Sequence, residues 1–202
     1  VLSHFSSADQ LGAATSLKQM KVFDEATRHL EHPRSIANSG GIIDSEAYHL
    51  DWIRPGLMLY GVSPFRDVYG EKFGLRPALK LSTRIIAVRK MRQGDTIGYG
   101  ASWRCPEDML VGILRCGYGD GYPRVISAEA RVSLNGCYPR IIGRVSMDSL
   151  AIDLRDCKNA EVGSEVVLWG PDLPIENVAE QCWTIPNELL TRMTGRVQRT
   201  AL

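Results

Sequence analysis

The sequence lacks a long apolar run, an excess of one charge and any internal repeat. A membrane-spanning helix needs about 18 or more consecutive apolar residues, and no segment of the 202 residues approaches that length. The formal net charge is +1, which argues against a nucleic-acid or anionic-membrane surface as the main partner. Hydrophobic residues make up 44% and charged residues 23%, so we expect one large or two small globular domains. Neither a membrane nor a nucleic acid is expected as a partner.

Cysteine pairing motifs are also missing. The five cysteines are an odd number and include no Cys-x-x-Cys pair. This usage suits free thiols in a reducing compartment, which favours a cytoplasmic location. It predicts neither a disulfide framework nor a zinc site, and no other metal centre is indicated. The cysteines are Cys105, Cys116, Cys137, Cys157 and Cys182.

The first part of the chain, residues 1–74, alternates strand-like and helix-like segments. Residues 1–5 read as a strand, and residues 7–10 form a capping-box pattern of a hydroxyl followed three residues later by glutamine. Apolar residues then recur at three- and four-residue steps from Leu11, which predicts an amphipathic helix ending near Pro33. Further strands are expected at 36–38 and 51–56. Alternating strands and helices predict a parallel sheet.

From about residue 75 to residue 202 the pattern becomes that of a mostly β domain. Asn135-Gly136 is a strong hairpin signal between two strand-like runs. Residues 175–192 read as helical in pieces, interrupted by Pro186. The β-rich runs are residues 79–88, 109–114, 130–134, 149–154 and 165–169.

Tyr99 is the first candidate for chemistry, because it stands between Gly98 and Gly100 at the predicted end of a strand. Glycines on both sides allow a sharp turn and the close approach of another surface. A phenol serves as a base when neighbouring positive charge favours its ionised form. On this tripeptide alone, a turn with a packing aromatic is the more common explanation.

Three further segments carry candidate binding groups. Residues 35–41 run from an apolar stretch into Asn-Ser-Gly-Gly, a polar loop that offers N–H groups and a hydroxyl to an anion. Arg54 precedes Pro-Gly at a predicted strand end, and residues 144–148 form a polar end to another strand. A helix N-cap, a surface salt bridge and a hairpin end, respectively, are the ordinary alternatives.

Taken in order, these segments resemble the alanine racemase family. Seven motifs carry the resemblance: SHF…AD at the start, ANS, W-x-RPG-x-x-x-YG, GYGA, GYGDGYPR, GRVSMD and ELLTRMTGRV. The resemblance implies a fold-type III enzyme that uses pyridoxal 5′-phosphate (PLP). The expected fold is the last few units of a (β/α)8 barrel in residues 1–74, followed by a mostly β domain in residues 75–202. A complete barrel takes roughly 250 residues.

The resemblance also implies an activity and an assembly. The family interconverts L- and D-alanine with two bases, supplying D-alanine for peptidoglycan, and its active site is shared across a homodimer. A racemase of broader substrate range and a related decarboxylase are alternatives within the class, and Tyr99 and Arg54 favour the racemase over the decarboxylase. An alternative outside the class is a non-catalytic piece used for dimerisation.

Residue roles follow from the matched motifs. Tyr99 is expected as one base, acting at the cofactor of the partner subunit. Arg54 is expected at the pyridine nitrogen of PLP, oriented by His4, whose alternative is an ordinary histidine at a strand end. The phosphate is expected on Ser39 and on the backbone of Gly56 and Leu57. Tyr118 and Met147 are expected to contact the amino-acid substrate, Tyr122 to be structural and Asp148 to support its loop.

Two departures from the family pattern stand out. The family's PLP-binding lysine lies near the N-terminus in a sequence like V-K-A-N-A-Y-G-H, and none of the six lysines here has that context. The chain opens on Val1 without Met and is expected to be the C-terminal part of a longer protein. Some relatives also carry a phosphate-binding tyrosine where this chain has Gly195, so that contact is expected to be lost or replaced.

Overall fold

In the computed structural model, which describes residues 1–201, the chain divides into two units between Ala78 and Leu79. The sequence pattern changes a few residues earlier, at 74/75. Helices and short extended segments make up the first unit, and the second is built on a β-sheet. Among the described residues, no helix combines the length and apolarity needed to cross a bilayer.

The first unit contains helix α1, Ala14–Thr27, and helix α2, Ser39–Asp44. Single turns of 3-10 helix follow at Glu46–Tyr48, Leu57–Tyr60 and Gly70–Phe73. The expected strand 1–5 is reduced to a parallel bridge between Leu2 and Ser35, with two main-chain hydrogen bonds of 3.0 Å. The expected strand 51–56 is likewise an extended segment, which contributes two main-chain hydrogen bonds, from Trp52 N–H to the Arg34 carbonyl and from Arg54 N–H to the Ala37 carbonyl. The parallel bridge between Leu2 and Ser35 matches the barrel architecture.

The core of the first unit lies between α1 and these extended segments. The Phe5 and Tyr48 rings pack with centroids 4.9 Å apart, and Phe23 of α1 is buried against the same cluster. Burial of such aromatic surface is the main stabilising contribution of this kind of contact. The predicted apolar face of the helix was partly wrong, because Leu11 and Leu17 are 58% and 61% exposed.

The predicted capping box was also wrong. Helix α1 begins at Ala14 after the N-cap residue Ala13, which has no side chain able to cap it. Residues 7–10 form a turn instead, closed by a hydrogen bond from Gln10 N–H to the Ser7 carbonyl. Gly12 lies between turn and helix with φ +66°, a left-handed conformation that interrupts any helix starting at residue 8.

The second unit is built on a five-stranded antiparallel sheet, whose strands are β1 Leu81–Met91, β4 Met109–Leu114, β5 Ile141–Ile142, β6 Leu150–Asp153 and β7 Glu165–Trp169. The strand order is β5-β6-β4-β1-β7. A separate hairpin pairs the short strands β2 Thr96–Ile97 and β3 Trp103–Arg104. The expected helical pieces are confirmed as α3 Ile175–Gln181 and α4 Pro186–Arg192, with Pro186 at the first position of α4, where its missing N–H costs nothing.

The Asn135-Gly136 hairpin is confirmed. Both residues have positive φ, +48° and +81°, and Leu134 and Cys137 exchange two hydrogen bonds of 2.9 Å. Positive φ at both central residues is typical of a type I′ turn. The strand expected at 130–134 is present only as isolated bridges, to Arg140, Val167 and Cys137.

The expectation that all five cysteines are free thiols was wrong. Cys137 and Cys157 form a disulfide with a Cα–Cα distance of 6.0 Å, whereas Cys105, Cys116 and Cys182 are free and buried. The pairing of β5 with β6 places the hairpin next to the turn that follows β6. A separation of 20 residues in sequence does not reveal that proximity.

Candidate active site

Arg54 is the most firmly held of the candidate residues in the first unit. Its Nη1 donates to Ser35 Oγ at 2.5 Å, and its Nη2 donates to the Ser3 carbonyl at 2.6 Å. Its own N–H is bonded to Ala37, which fixes the backbone from which the side chain extends. Among the described residues its guanidinium contacts Ser35, Ser3 and His4 and pairs with no carboxylate, so the surface salt bridge considered from sequence is absent. The guanidinium therefore keeps its charge available while its orientation is fixed.

His4 lies between Arg54 and Asn38. Its Nδ1 is 3.3 Å from Arg54 Nη2, and its Nε2 is 3.2 Å from Asn38 Nδ2. Asn38 Oδ1 accepts from Gly41 N–H, so the amide presents its donor side to the histidine. A neutral imidazole accepts at one nitrogen only. Because a hydrogen bond from a charged donor is the stronger one, we assign Nδ1 as the acceptor from Arg54.

Ser39 begins α2 and is 5% exposed. Its Oγ accepts hydrogen bonds from Gly56 N–H at 2.8 Å and Met58 N–H at 3.3 Å. Both bonds use the oxygen as an acceptor, so its O–H is left to donate to another group. Leu57 begins a 3-10 turn, and the first N–H of such a turn has no partner within it. Ser39 O–H and Leu57 N–H lie close together, because Ser39 Oγ is bonded to the residues on either side of Leu57.

The prediction of a polar loop at residues 38–41 was wrong, because a helix begins there. Ser39, Gly40 and Gly41 are the first turn of α2, capped by the Asn38 side chain. The glycines are required by packing, because a Cβ at Gly40 would lie 2.0 Å from the Ala8 carbonyl oxygen and one at Gly41 would lie 2.9 Å from the Phe5 ring. The N-cap alternative is therefore the correct one for this segment.

Space for a ligand group lies over Gly56. A Cβ built there would meet nothing closer than Ser39 Oγ, at 3.8 Å. The adjacent groups are two hydrogen-bond donors, Ser39 O–H and Leu57 N–H. An open surface lined by hydrogen-bond donors suits an anionic group such as a phosphate.

Tyr99 follows β2 in the second unit and is 65% exposed. Gly98 and Gly100 have φ of +80° and +71°, which a side chain at either position would disfavour. A Cβ at Gly98 would lie 2.7 Å from Arg144 N, and one at Gly100 would lie 3.4 Å from Arg144 Nη1. The glycines therefore allow the turn to pack on residue 144, and the Arg144 guanidinium lies beside the segment that carries the phenol.

Tyr118 and Met147 lie on two loops that are hydrogen bonded to each other. Tyr118 N–H donates to the Ser146 carbonyl at 3.0 Å, and Gly119 N–H donates to the Met147 carbonyl at 2.9 Å. Both side chains are partly exposed. A Cβ at Gly117 would lie 2.2 Å from the Ser146 carbonyl oxygen, so the loops approach as closely as glycine permits.

Tyr122 and Cys116, which lie next to the segment that carries Tyr118, are both buried. Tyr122 is buried and stacks on Trp169 with ring centroids 6.1 Å apart, as expected for a structural aromatic. Burial raises the pKa of Cys116, the residue before Gly117, to about 12, because desolvation disfavours the thiolate. This cysteine therefore stays a neutral thiol.

Sequence reasoning missed several residues that hold the candidate groups. Ser35 holds Arg54, Asn38 caps α2 and lies beside His4, and Arg144 lies against the Tyr99 turn. The Asn-Ser-Gly-Gly pattern carried a usable signal for Asn38, since asparagine is a strong N-cap residue. Ser35 and Arg144 offered no such signal, because their partners are distant in sequence.

Two family models match the chain in order. The alanine racemase N-terminal domain matches residues 1–64, and the alanine racemase C-terminal domain matches residues 78–201. Alanine racemase from Nitrosococcus oceani is 47% identical over 200 residues, which are 99% of this chain and 56% of that protein. Alanine racemase from Halorhodospira halophila is 46% identical over 98% of this chain and 54% of that protein.

Solved structures agree with the sequence relatives. A biosynthetic alanine racemase from Pseudomonas aeruginosa matches with a TM-score of 0.93 and 40% identity, over 98% of this chain and 56% of that one. An alanine racemase from Bartonella henselae with covalently bound pyridoxal phosphate matches with a TM-score of 0.90 and 31% identity, over 99% and 55%. This chain thus spans about half the length of the relatives it matches. Its fold is the last part of the barrel followed by the mostly β domain, and the chain belongs to the alanine racemase family.

Proposed function

We propose that the full-length protein containing residues 1–202 is a PLP-dependent alanine racemase that interconverts L- and D-alanine with two bases. The observation that carries the proposal is the guanidinium of Arg54, held by Ser3, Ser35 and His4 without a carboxylate among the described residues. A fixed, uncompensated cation and an open surface lined by donors, both in the first unit, fit a phosphorylated pyridine cofactor. The names of the relatives support alanine as the substrate.

The first unit would hold PLP through the donors described above. Ser39 O–H and Leu57 N–H would bind the phosphate over the open surface at Gly56. Arg54 would face the pyridine nitrogen, oriented by His4. A guanidinium does not release its proton under ordinary conditions, so Arg54 would bind the nitrogen without protonating it. PLP, when bound, supplies the electron sink that acidifies the Cα proton, and an unprotonated ring disfavours transamination.

The second unit would supply one base and part of the substrate site. Racemisation needs a proton removed on one face of Cα and delivered on the other. Tyr99 would serve one face, acting at the cofactor of the partner subunit in a homodimer. Tyr118 would narrow the entrance for the amino acid, and Met147 would contact it through its backbone N–H. Asp148 would support the Met147 backbone.

The second base would be the lysine that carries PLP, and none of the six lysines here has its sequence context. The first unit also exposes Leu2 and Trp52 by 72% and 66%, apolar surface that further barrel segments would cover. We therefore propose that residues 1–202 alone neither racemise alanine nor bind PLP covalently. Borohydride reduction with PLP followed by peptide mapping tests this. Stoichiometric labelling of one of these lysines, together with turnover, would overturn it.

The full-length gene provides the functional test. Expressed in a bacterium that requires D-alanine, it is expected to restore growth, which would support a role in peptidoglycan supply. The matched control expresses residues 1–202 only and is expected to fail. Growth with both would favour activity in this part alone, and growth with neither would favour the alternative of a non-catalytic dimerisation piece.

Chiral analysis of the purified full-length protein separates substrate ranges. Conversion of alanine far faster than of serine or lysine would support an alanine racemase, and comparable rates would favour a broader amino-acid racemase. The cytoplasmic location expected from sequence stays a prediction.

A further inference from the structure

Arg196 connects the two loops that carry Tyr118 and Met147. We call residues 117–121 the Tyr118 loop and residues 146–148 the Met147 loop. Arg196 Nε lies 3.2 Å from Asp120 Oδ1 on the Tyr118 loop, and its Nη2 donates to Asp148 Oδ1 on the Met147 loop. One guanidinium thus binds one carboxylate from each loop.

The backbone around Arg196 docks on the Tyr118 loop as well. Thr194 N–H donates to the Asp120 carbonyl at 3.2 Å, and Thr194 Oγ1 donates to the Gly119 carbonyl at 3.0 Å. Arg196 N–H in turn donates to Thr194 Oγ1 at 3.3 Å. The backbone of residues 194–196 is therefore fixed on the Tyr118 loop independently of the contacts that the Arg196 guanidinium makes.

Gly119 lies directly beneath the guanidinium. A Cβ at this position would lie 2.3 Å from Arg196 Nη1 and 3.0 Å from the Met147 carbonyl oxygen. Asp120 also accepts from Gly117 N–H at 3.0 Å through its other oxygen, so the carboxylate that closes the Tyr118 loop is the one that Arg196 binds. The side chain of Arg196 thus packs against both loops, and it has room to do so because residue 119 is a glycine.

Removing the guanidinium would leave Asp120 and Asp148 as two carboxylates with no shared cation. Like charges at short range repel, so the loops would shift relative to each other within the limits set by the Tyr118–Ser146 and Gly119–Met147 backbone hydrogen bonds. Exposed ion pairs contribute little to global stability, and Arg196 is 45% exposed. The main consequence is therefore expected in the positions of the loops rather than in whether the protein folds.

We infer that Arg196 is a positioning residue that sets the spacing between Tyr118 and Met147, and with it the width of the amino-acid site. The inference rests on the proposed racemase function and extends it to substrate selection. The substrates concerned are small α-amino acids, because a narrow gap between the Tyr118 side chain and the Met147 backbone would favour alanine over larger homologues.

The test uses the full-length protein with the substitution Arg196→Gln, and Arg192→Gln as the matched control. Arg192 is similarly exposed and also binds a carboxylate, but its partner Glu188 lies one turn away in the same helix. For Arg196→Gln we expect kcat/KM for alanine to fall on the order of 10- to 100-fold, because small misplacements of substrate-positioning groups have effects of that size. The fall should come mainly through KM, and the preference for alanine over serine should narrow.

Further readouts separate positioning from loss of folding. The PLP content and Tm of Arg196→Gln should match those of Arg192→Gln, and Arg196→Lys should recover part of the lost selectivity. If Arg196→Gln does not fold, Asp148→Asn removes only one of the two links and should change KM in the same direction by a smaller factor. Unchanged KM and selectivity in the variant that folds would overturn the inference while leaving the racemase assignment intact. A wild-type protein without alanine racemase activity would instead overturn the proposed function, and the inference with it.

Discussion

Asp153 shows how one neighbour decides the charge state of a side chain here. It ends β6 with 11% of its side chain exposed, and Arg155 Nη2 donates to it at 2.7 Å. Burial alone would raise its pKa, but the hydrogen bonds from Arg155 outweigh burial and hold the pKa below its usual value. Asp153 therefore stabilises the fold in its ionised form.

We expect Asp153→Asn to destabilise the protein by about 1 kcal/mol at neutral pH, because a charge-assisted hydrogen bond is lost. Since the pKa is lowered in the folded state, this contribution is complete above about pH 4, the ordinary value of the group. It is lost as the pH falls through the folded-state pKa. Thermal unfolding measured from pH 7 to pH 3 should show the Tm difference shrinking at the acidic end. Glu129→Gln, an exposed partner of Arg140, should show a difference within about 0.5 kcal/mol throughout.

Arg54→Lys in the full-length protein should be more harmful than conservation of charge suggests. Lysine loses the planar fork that reaches Ser35 and Ser3 together, and its ammonium releases a proton more readily than a guanidinium. We expect slower racemisation and more conversion of the cofactor to pyridoxamine phosphate. Arg34→Lys is the control, because Arg34 pairs with Asp24 in an ordinary ion pair. Turnover and product ratios equal to wild type would mean that Arg54 does not contact the ring nitrogen.

For single residues, the sequence predicted local backbone conformation where the adjacent residues in the chain determine it. The glycines beside Tyr99 indicated a tight turn, and the structure has positive φ at both. The sequence pattern around Arg196 did not indicate its contacts. Its partners Asp120 and Asp148 lie 76 and 48 positions earlier in the chain, a distance at which local pattern carries no information.

Helix α1 offers a simple gain in stability. Its N-cap Ala13 has extended backbone angles, φ −61° and ψ 123°, but no side chain to accept from the first turn. Ala13→Ser should stabilise the protein by about 1 kcal/mol by supplying that acceptor. The matched control is Ala26→Ser, at an exposed alanine in the last turn of the same helix, which should be slightly destabilising because serine is a poorer helix former than alanine. Thermal unfolding compares the two variants, and equal effects at both positions would show that residue 13 is not the N-cap in solution.

Gly136 and Gly117 are required for different reasons, Gly136 for its backbone conformation and Gly117 for close packing. Gly136 has φ +81° and open space around it, so Gly136→Ala should cost only the left-handed conformation, about 1–2 kcal/mol. Gly117 has an extended φ of −153°, but a Cβ there would collide with the Ser146 carbonyl oxygen. Gly117→Ala should therefore destabilise the protein more and displace Tyr118. Denaturant unfolding compares the two, and a smaller cost at Gly117 would contradict the close loop pairing.

The elements that the sequence predicted best are those whose burial follows a simple pattern. Strands β4 and β7 have the same bounds as the expected runs 109–114 and 165–169. The runs at 130–134 and 36–38 failed as strands because they meet their neighbours at single bridges or hydrogen bonds. Helix α2 was missed because its two glycines resemble a loop in sequence, although they serve close packing.

On the scale of the chain, the ordered motifs predicted the family, and the family models and relatives bear this out. The Cys137–Cys157 disulfide was not predictable, because it depends on how the hairpin and β6 are brought together. The candidate groups for the cofactor lie in the first unit, and those for the substrate lie in the second. The chain spans about half the length of its relatives, and the proposed mechanism assigns one of its two bases, Tyr99, to this chain.

Tyr99→Phe in the full-length protein tests that account most directly. The substitution removes the phenol oxygen and keeps the ring, so PLP binding should persist while one face of Cα loses its base. Tyr138→Phe is the control, because Tyr138 is a partly exposed phenol whose hydroxyl donates to the Asp172 carbonyl. The measurement is solvent deuterium exchange at Cα, made separately on L- and D-alanine. We predict that exchange falls about 10²- to 10⁴-fold for the enantiomer whose hydrogen faces Tyr99, L-alanine by family analogy, while the other continues to exchange. Equal losses for both enantiomers, or no loss for either, would contradict the role of Tyr99 as a base.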